Sequence, residues 1–190
     1  PPSLMIKAKT MTLDAVTLRN LEIVRTIGDS SKDTLFAVVN KTSTAGGSRR
    51  LKDWFLRPLH DLKRVNERHD AVQELFDNTL SRREIRDILK GFQDVERLLS
   101  RLGHGSISPR DLDSLRFSLN TVKELKQFLT EEPLKSKLMK KLVKSIDIHK
   151  QVSKKLTEAI VEEPPLVLRD GGIFKKGYSK ELDDLRSKAS

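Results

Sequence analysis

Behind Ser108-Pro109, apolar residues recur at Leu112, Leu115, Leu119, Val122, Leu125 and Leu129, in steps of three or four. Only a helix brings such positions onto one stripe, because 3.6 residues complete a turn whereas strand neighbours alternate between faces. The start is marked as well: a serine hydroxyl can cap the first free amides, and proline suits the first helical position, where its missing N–H is not needed. A long helix with one leucine face must lay that face against other elements. With 34% charged and only 5% aromatic residues, the chain favours solvated helices over a sandwich or barrel.

The same reading extends along the chain. Asp14 and Asp61 are cap candidates, the first opening a short helix with Val16, Leu18, Leu21 and Val24. Met5 to Leu13 suits a strand or extended arm, and Thr34 to Asn40 is compact and apolar enough for either helix or strand. Leu51, Trp54, Phe55 and Leu59 predict a helical face ending near Pro58. Leu62, Val65, His69, Val72 and Phe76 predict one buried stripe, with His69 as a core histidine. Segments 81–90 and 92–102 carry helical stripes, and so do Leu134, Leu138, Leu142, Ile146, Val152, Leu156 and Ile160, with a break expected near Ser145-Ile146-Asp147. Pro164-Pro165 stops helix; Leu166-Val167-Leu168 and Ile173-Phe174 around Arg169-Asp-Gly-Gly172 predict a small β element, and a last helix begins at Ser179. The expected fold is mainly α: a multi-helix core with a small β excursion near 165–175.

Composition removes several function classes. The chain has no cysteine, so disulfides and thiolate metal sites are absent, and no apolar run approaches the ~20 residues that cross a bilayer. Pro1-Pro2 at one end and a helical pattern running into Ser190 at the other lead us to expect a piece of a longer chain. A net charge of +10 raises the expectation of nucleic acid or another acidic partner, although lysine-rich helices are commonly just solvated.

Few residues carry chemistry. His60, His69, His104 and His149 lack ligand spacing, and no phosphate loop of the Gly-x-x-x-x-Gly-Lys-Ser/Thr form occurs. Gly46-Gly47-Ser48-Arg49-Arg50 is the nearest approach to an anion site at a helix start, with Gly47, Ser48 and Arg49 as its candidate residues. The plainer reading is a tight turn at the glycines with Ser48 as helix cap. Asp170 before two glycines reads as a turn residue. Lys137, Lys140, Lys141 and Lys144 lie on one helix side and are the candidate contacts to a phosphate backbone. Trp54 sits on an apolar face, which argues against a base-stacking platform. No catalytic, cofactor or metal residue is expected.

Several strings are distinctive beyond their spacing. Asp94-Val-Glu-Arg-Leu-Leu-Ser-Arg101 followed by Ser108-Pro-Arg-Asp-Leu112 resembles the core, or lever, domain of the MutS family of mismatch repair proteins. Leu13-Asp14-Ala-Val-Thr17-Leu-Arg-Asn20-Leu-Glu22, Thr34-Leu-Phe36, Thr44-x-x-Gly47-Ser-Arg49 and Arg68-x-Asp70-x-Val72 are similar to earlier blocks of that domain. Arg169-Asp-Gly-Gly172, Gly177-Tyr178 and Glu181-Leu-Asp183 resemble the turn into its first long lever helix. Ala45-Gly46 and His69 depart from the family's usual proline-hydrophobic pair and aliphatic residue.

The resemblance implies a helical core over residues 1–160 and, in the same domain, a turn segment with the beginning of the lever over 161–190. It implies a non-catalytic piece that couples nucleotide state to the clamping of mismatched DNA in a longer ATPase. ATP and magnesium belong to an ATPase domain beyond this fragment. The expected partners are mismatched DNA through the whole protein, the connector, clamp and ATPase domains, a second subunit of a dimer, and downstream repair factors, but no membrane. Such a protein is expected in prokaryotic cytoplasm or in a nucleus. The competing expectations are a stand-alone basic helical module that binds nucleic acid, and a protein-docking scaffold.

Overall fold

The computed structural model describes residues 10–189, and side chains to Lys188. The Met5 to Leu13 expectation falls partly outside this range; of the described part, Thr10 forms an isolated antiparallel bridge with Leu59. The chain is mainly helical and divides into two compact units, each discontinuous in sequence: residues up to 86 with 132–145, and residues 87–131 with 146–190.

The first unit holds α1 (Ala15–Asn20), α2 (Leu35–Val39), α3 (Ala45–Leu56), α4 (Leu62–Asp77), most of α5 (Thr79–Lys90) and α8 (Lys137–Ser145). Side chains fix most of its helix starts. Asp14, Thr34, Thr44 and Asp61 accept hydrogen bonds from the amides of Thr17, Ala37, Gly47 and Arg64, at 2.6, 3.2, 3.0 and 3.2 Å. Each removes one orphan donor from a first turn. The Thr34 to Asn40 ambiguity resolves as helix because of that cap. Phe36 of α2 meets Phe55 of α3 edge to face, with ring centroids 6.4 Å apart.

α4 corrects the sequence reading. Leu62, Val72 and Phe76 are 72, 66 and 70% exposed, His69 is exposed as well, and Ala71 is the buried residue of the helix. The spacing gives the helical period but does not say which face is covered. α4 packs against α8. The Glu74 carboxylate accepts the amides of Lys135 and, at 3.0 Å, Ser136, which tethers the turn that opens α8. On α8 the buried residues are Met139 and Val143, and Leu142 of the expected stripe is exposed. Ser81 donates its hydroxyl to Glu132, and Arg82 donates to the carbonyls of Leu75 and Phe76, both at 2.7 Å, closing the end of α4.

The second unit is built on α7 (Pro109–Glu131), flanked by α6 (Val95–Gly103) and α9 (Lys150–Ala159). Leu98 of α6 and Leu115 and Leu119 of α7 form its buried cluster, with Val95 and Leu156 packed against it. Fully burying one leucine is worth ~2 kcal/mol of transfer free energy, so this cluster is a main source of the unit's cohesion. Ser118, completely buried, accepts the Gln93 amide at 3.1 Å and donates to the Ser114 carbonyl at 2.8 Å. Its polar atom therefore sits inside the unit without an unmet bond.

The break expected near Ser145 is present, since α8 ends there and α9 begins at Lys150. The β excursion takes a different form. Leu168–Asp170 is a 3-10 turn, and Ile173-Phe174 pairs with Ile160-Val161 instead of with Leu166–Leu168. Val161 donates to Ile173 at 3.0 Å and Lys175 to Ala159 at 2.8 Å. Gly171 and Gly172 both have positive φ (68° and 67°), a conformation that suits glycine because it has no Cβ. α10 (Lys180–Ala189) follows, its first turn held by Ser179, whose hydroxyl accepts from the Leu182 amide at 3.4 Å.

Candidate functional site

The candidate phosphate contacts Lys137, Lys140, Lys141 and Lys144 are all exposed on α8. Their neighbours differ. Burial of Glu74 would raise its carboxyl pKa, but the Ser136 and Lys135 hydrogen bonds outweigh it, with a smaller contribution from the Lys140 charge, and the pKa is lowered. Lys137 and Lys141 instead line a cleft of about 290 Å³ together with Arg64, Glu67 and Arg68 of α4.

That cleft holds the residues the sequence reading missed. The Arg68 guanidinium lies 3.7 Å from the centroid of the Trp54 ring, within the distance at which a cation is attracted to the ring's negative face. Burial first, then the charges of Arg64 and Arg50, lowers the pKa of Arg68, although an arginine remains cationic at neutral pH. Trp54, which the spacing puts on an apolar face, seats an arginine on one side of its ring. The signal was present as paired cations four apart on two helices, Arg64/Arg68 and Lys137/Lys141. Nothing local says that stretches about seventy positions apart in the sequence line one cleft.

The Gly47–Arg49 segment is organised differently from the anion site considered for it. The helix begins at Ala45, so Thr44 and not Ser48 is the cap. The amide of Gly47 donates to the Thr44 hydroxyl and that of Ser48 to the Thr44 carbonyl, each at 3.0 Å. Ser48 uses its own hydroxyl to accept from the Asn40 side chain at 2.9 Å. A Cβ on Gly47 would stand 2.9 Å from the Thr44 oxygen, so the glycine belongs to close packing of the cap.

No group of three or more His, Cys, Asp or Glu residues suited to a metal occurs among the described residues. His104 bonds the Ser100 carbonyl at 2.7 Å, and His149 is 3.6 Å from Asp147. Asp170 lies in the 3-10 turn, 3.9 Å from Arg169. No helix among these residues is long and apolar enough to cross a membrane.

The Asp94 and Ser108 strings now have a geometry. Asp94 caps α6 through the Arg97 amide at 3.3 Å. Ser108 and Asp111 form a reciprocal box at the start of α7: the Asp111 amide donates to the Ser108 hydroxyl at 3.2 Å, and the Ser108 amide donates to the Asp111 carboxylate at 2.9 Å. Arg101, the last residue of the first string, donates to both oxygens of Asp111 at 2.6 and 2.7 Å. The two strings are therefore one structural joint between α6 and α7.

The family model described as MutS domain III matches residues 16–189. The chain belongs to the MutS domain III family. The DNA mismatch repair protein MutS of Methanosarcina acetivorans is 40% identical over 184 residues, which is 95% of this chain and 20% of that protein. The MutS of Halothermothrix orenii is 41% identical over 177 residues, 93% of this chain and 20% of the relative. That of Pelotomaculum thermopropionicum is 41% identical over 179 residues, covering 94% and 21%. The chain thus spans about a fifth of the length of the curated relatives it matches. The helical architecture described above agrees with this MutS domain.

Proposed function

We propose that this MutS domain III chain is a non-catalytic core and lever element of a mismatch repair ATPase, which transmits nucleotide-dependent movement to the part of the protein that holds mismatched DNA. The supporting observation is the α6–α7 joint above the Leu98–Leu115–Leu119 cluster. Movement between distant sites is carried by packed elements with discrete arrangements, and a 23-residue helix stapled at its start and packed along its length is such an element. Residues 161–190, ending in α10, would lead into the lever proper, with residues 1–160 as the helical core. ATP and magnesium would act in a separate ATPase domain, with clamp and connector domains and a second subunit as neighbours. Exposed apolar residues support the presence of such neighbours: Leu166, Leu168 and Leu185 are 60, 67 and 58% exposed. The protein would work where its DNA is, in prokaryotic cytoplasm or a nucleus.

The test is a chimera in which this chain replaces the matching fifth of the Methanosarcina acetivorans MutS, alongside the same chimera carrying Asp111→Ala and Leu119→Ala. Transmission predicts that the weakened version keeps ATP hydrolysis and mismatch binding but loses ATP-triggered release from mismatched DNA. Loss of hydrolysis itself with folding intact, or unaltered release, would count against the reading. The chain alone should turn over no ATP and show no preference for a mismatched duplex across a salt series.

A further inference from the structure

The cleft between α4 and α8 is independent of the transmission role, and its chemistry is specific. Arg64 and Arg68 contribute one row of cations and Lys137 and Lys141 the other, against the single carboxylate of Glu67. No ion pair joins any of these four cations to a carboxylate among the described residues. Four cations gathered around one carboxylate repel, and a cluster of this kind is stabilised by an acidic ligand. Leu59 and Leu138 complete the lining, so a ligand's methylene groups meet hydrocarbon while its charged ends meet arginine and lysine.

We infer that this cleft is the docking site for an extended acidic segment of a partner protein, with carboxylates at alternate positions. The spacing supports it. Residues four apart on a helix place their Cβ atoms about 5–6 Å apart, and same-side residues of an extended peptide recur at about 6.6 Å. A Glu-x-Glu run therefore matches the step from Arg64 to Arg68 on one wall and from Lys137 to Lys141 on the other. The arginine forks can take each carboxylate through two parallel bonds. A concave cleft of about 290 Å³ that carries two leucines beside its cations receives side chains better than the rigid convex backbone of a duplex. No aromatic residue lines the cleft, and Arg68 covers one face of the Trp54 ring, which disfavours base stacking.

Trp54 is the sole tryptophan, and Arg68 of the cleft lies over its ring, so its emission reports on that arginine. The experiment titrates the chain with a short blocked Glu-Ser repeat peptide while following that emission at several salt concentrations. The expected result is a saturable change that weakens with salt, at least about tenfold weaker in R64Q/K141Q and altered less than about twofold in K123Q/K154Q, which removes two charges from the other unit. Equal weakening in both variants would reduce the effect to net charge and overturn the proposal. So would a short DNA duplex or inorganic phosphate changing Trp54 emission, through the same residues, at lower concentration than the peptide. Circular dichroism verifies folding of each variant. If R64Q/K141Q does not fold, K141E on the exposed side of α8 replaces it, with at least about threefold weakening expected and no weakening overturning the proposal. In that variant a Lys-Ser peptide should gain what the Glu-Ser peptide loses.

Discussion

Asp111→Ala is the substitution that most directly tests the α6–α7 joint. The Asp111 side chain is only 14% exposed; it receives the Ser108 amide and two contacts from Arg101, whose own side chain is 41% exposed. Loss of half the capping box costs about 1 kcal/mol. Loss of a charge-assisted bond costs about 1.5–3 kcal/mol, reduced towards the surface value of ~1 because Arg101 remains accessible to water. The sum is about 2–3 kcal/mol, or a fall in Tm of roughly 4–12 °C for a chain of this size. Burial of Asp111 alone would raise its carboxyl pKa; the Ser108 and Arg101 contacts outweigh it and the pKa is lowered. A group depressed in the folded state contributes its stability above its unfolded pKa of about 3.9, and loses it as pH falls through the folded value. Urea unfolding of wild type and Asp111→Ala should therefore differ fully at pH 7, with the gap closing below about pH 4. Hydrogen exchange at the first turn of α7 should accelerate in the variant at neutral pH. A gap below about 0.5 kcal/mol, or one that stays constant through the acid range, would refute the argument that this carboxylate holds the joint.

The remaining expectations concern packing and tethering. Leu119→Ala should cost about 2–5 kcal/mol in chemical denaturation, because it opens a cavity in the Leu98–Leu115–Leu119 cluster, whereas Leu99→Ala at a 51% exposed position should cost well under about 1 kcal/mol. Gly91→Ala should lower Tm, since a Cβ there would stand 2.7 Å from the Phe117 ring, and Phe117→Leu should relieve most of the loss. Glu74→Gln should loosen the turn before α8, seen as faster amide exchange at Lys135 and Ser136; the wild-type advantage should fade below the unfolded glutamate value near pH ~4.3 as the lowered carboxyl protonates. Phe76→Ser should change stability by less than about 0.5 kcal/mol, and a core-sized loss measured by denaturation would restore the buried stripe that the sequence predicts.

How much was legible follows from the range of each signal. Asp14, Asp61 and Ser108 act within three residues of where they stand, so those helix starts were legible, whereas the stripe expected from Phe92 begins only at Val95, behind the Asp94 cap. The α7 stripe was also legible, with Leu115, Leu119 and Leu129 buried, because one leucine face on a helix flanked by two others has only one way to be covered. α4 carries apolar residues on more than one side, and periodicity cannot decide between sides: Val72 and Phe76 were assigned inward and stand outward. The turn at Gly171-Gly172 was recognised, yet its partner strand was not, because Ile173 pairs back to Val161 across Pro164-Pro165 rather than to the adjacent Leu168.

The candidate site shows the same limit from the functional side. Four lysines at helical spacing read as one patch, because spacing does not show what packs beside each of them. Once α4 lies along α8, Glu74 takes a share of the field of Lys140, while Lys137 and Lys141 join two arginines of α4 at the cleft. A charge run therefore says how a helix is solvated, and only the element packed against it says which of its charges form a site. The same packing that leaves α4's apolar stripe outward aligns Arg64 and Arg68 with α8. If Phe76 were turned into the core by rotating α4 about its axis, Arg64 and Arg68 would turn with it. The Phe76→Ser measurement and the Trp54 titration thus depend on one helix orientation, and a core-sized loss in the first should appear with no cleft response in the second.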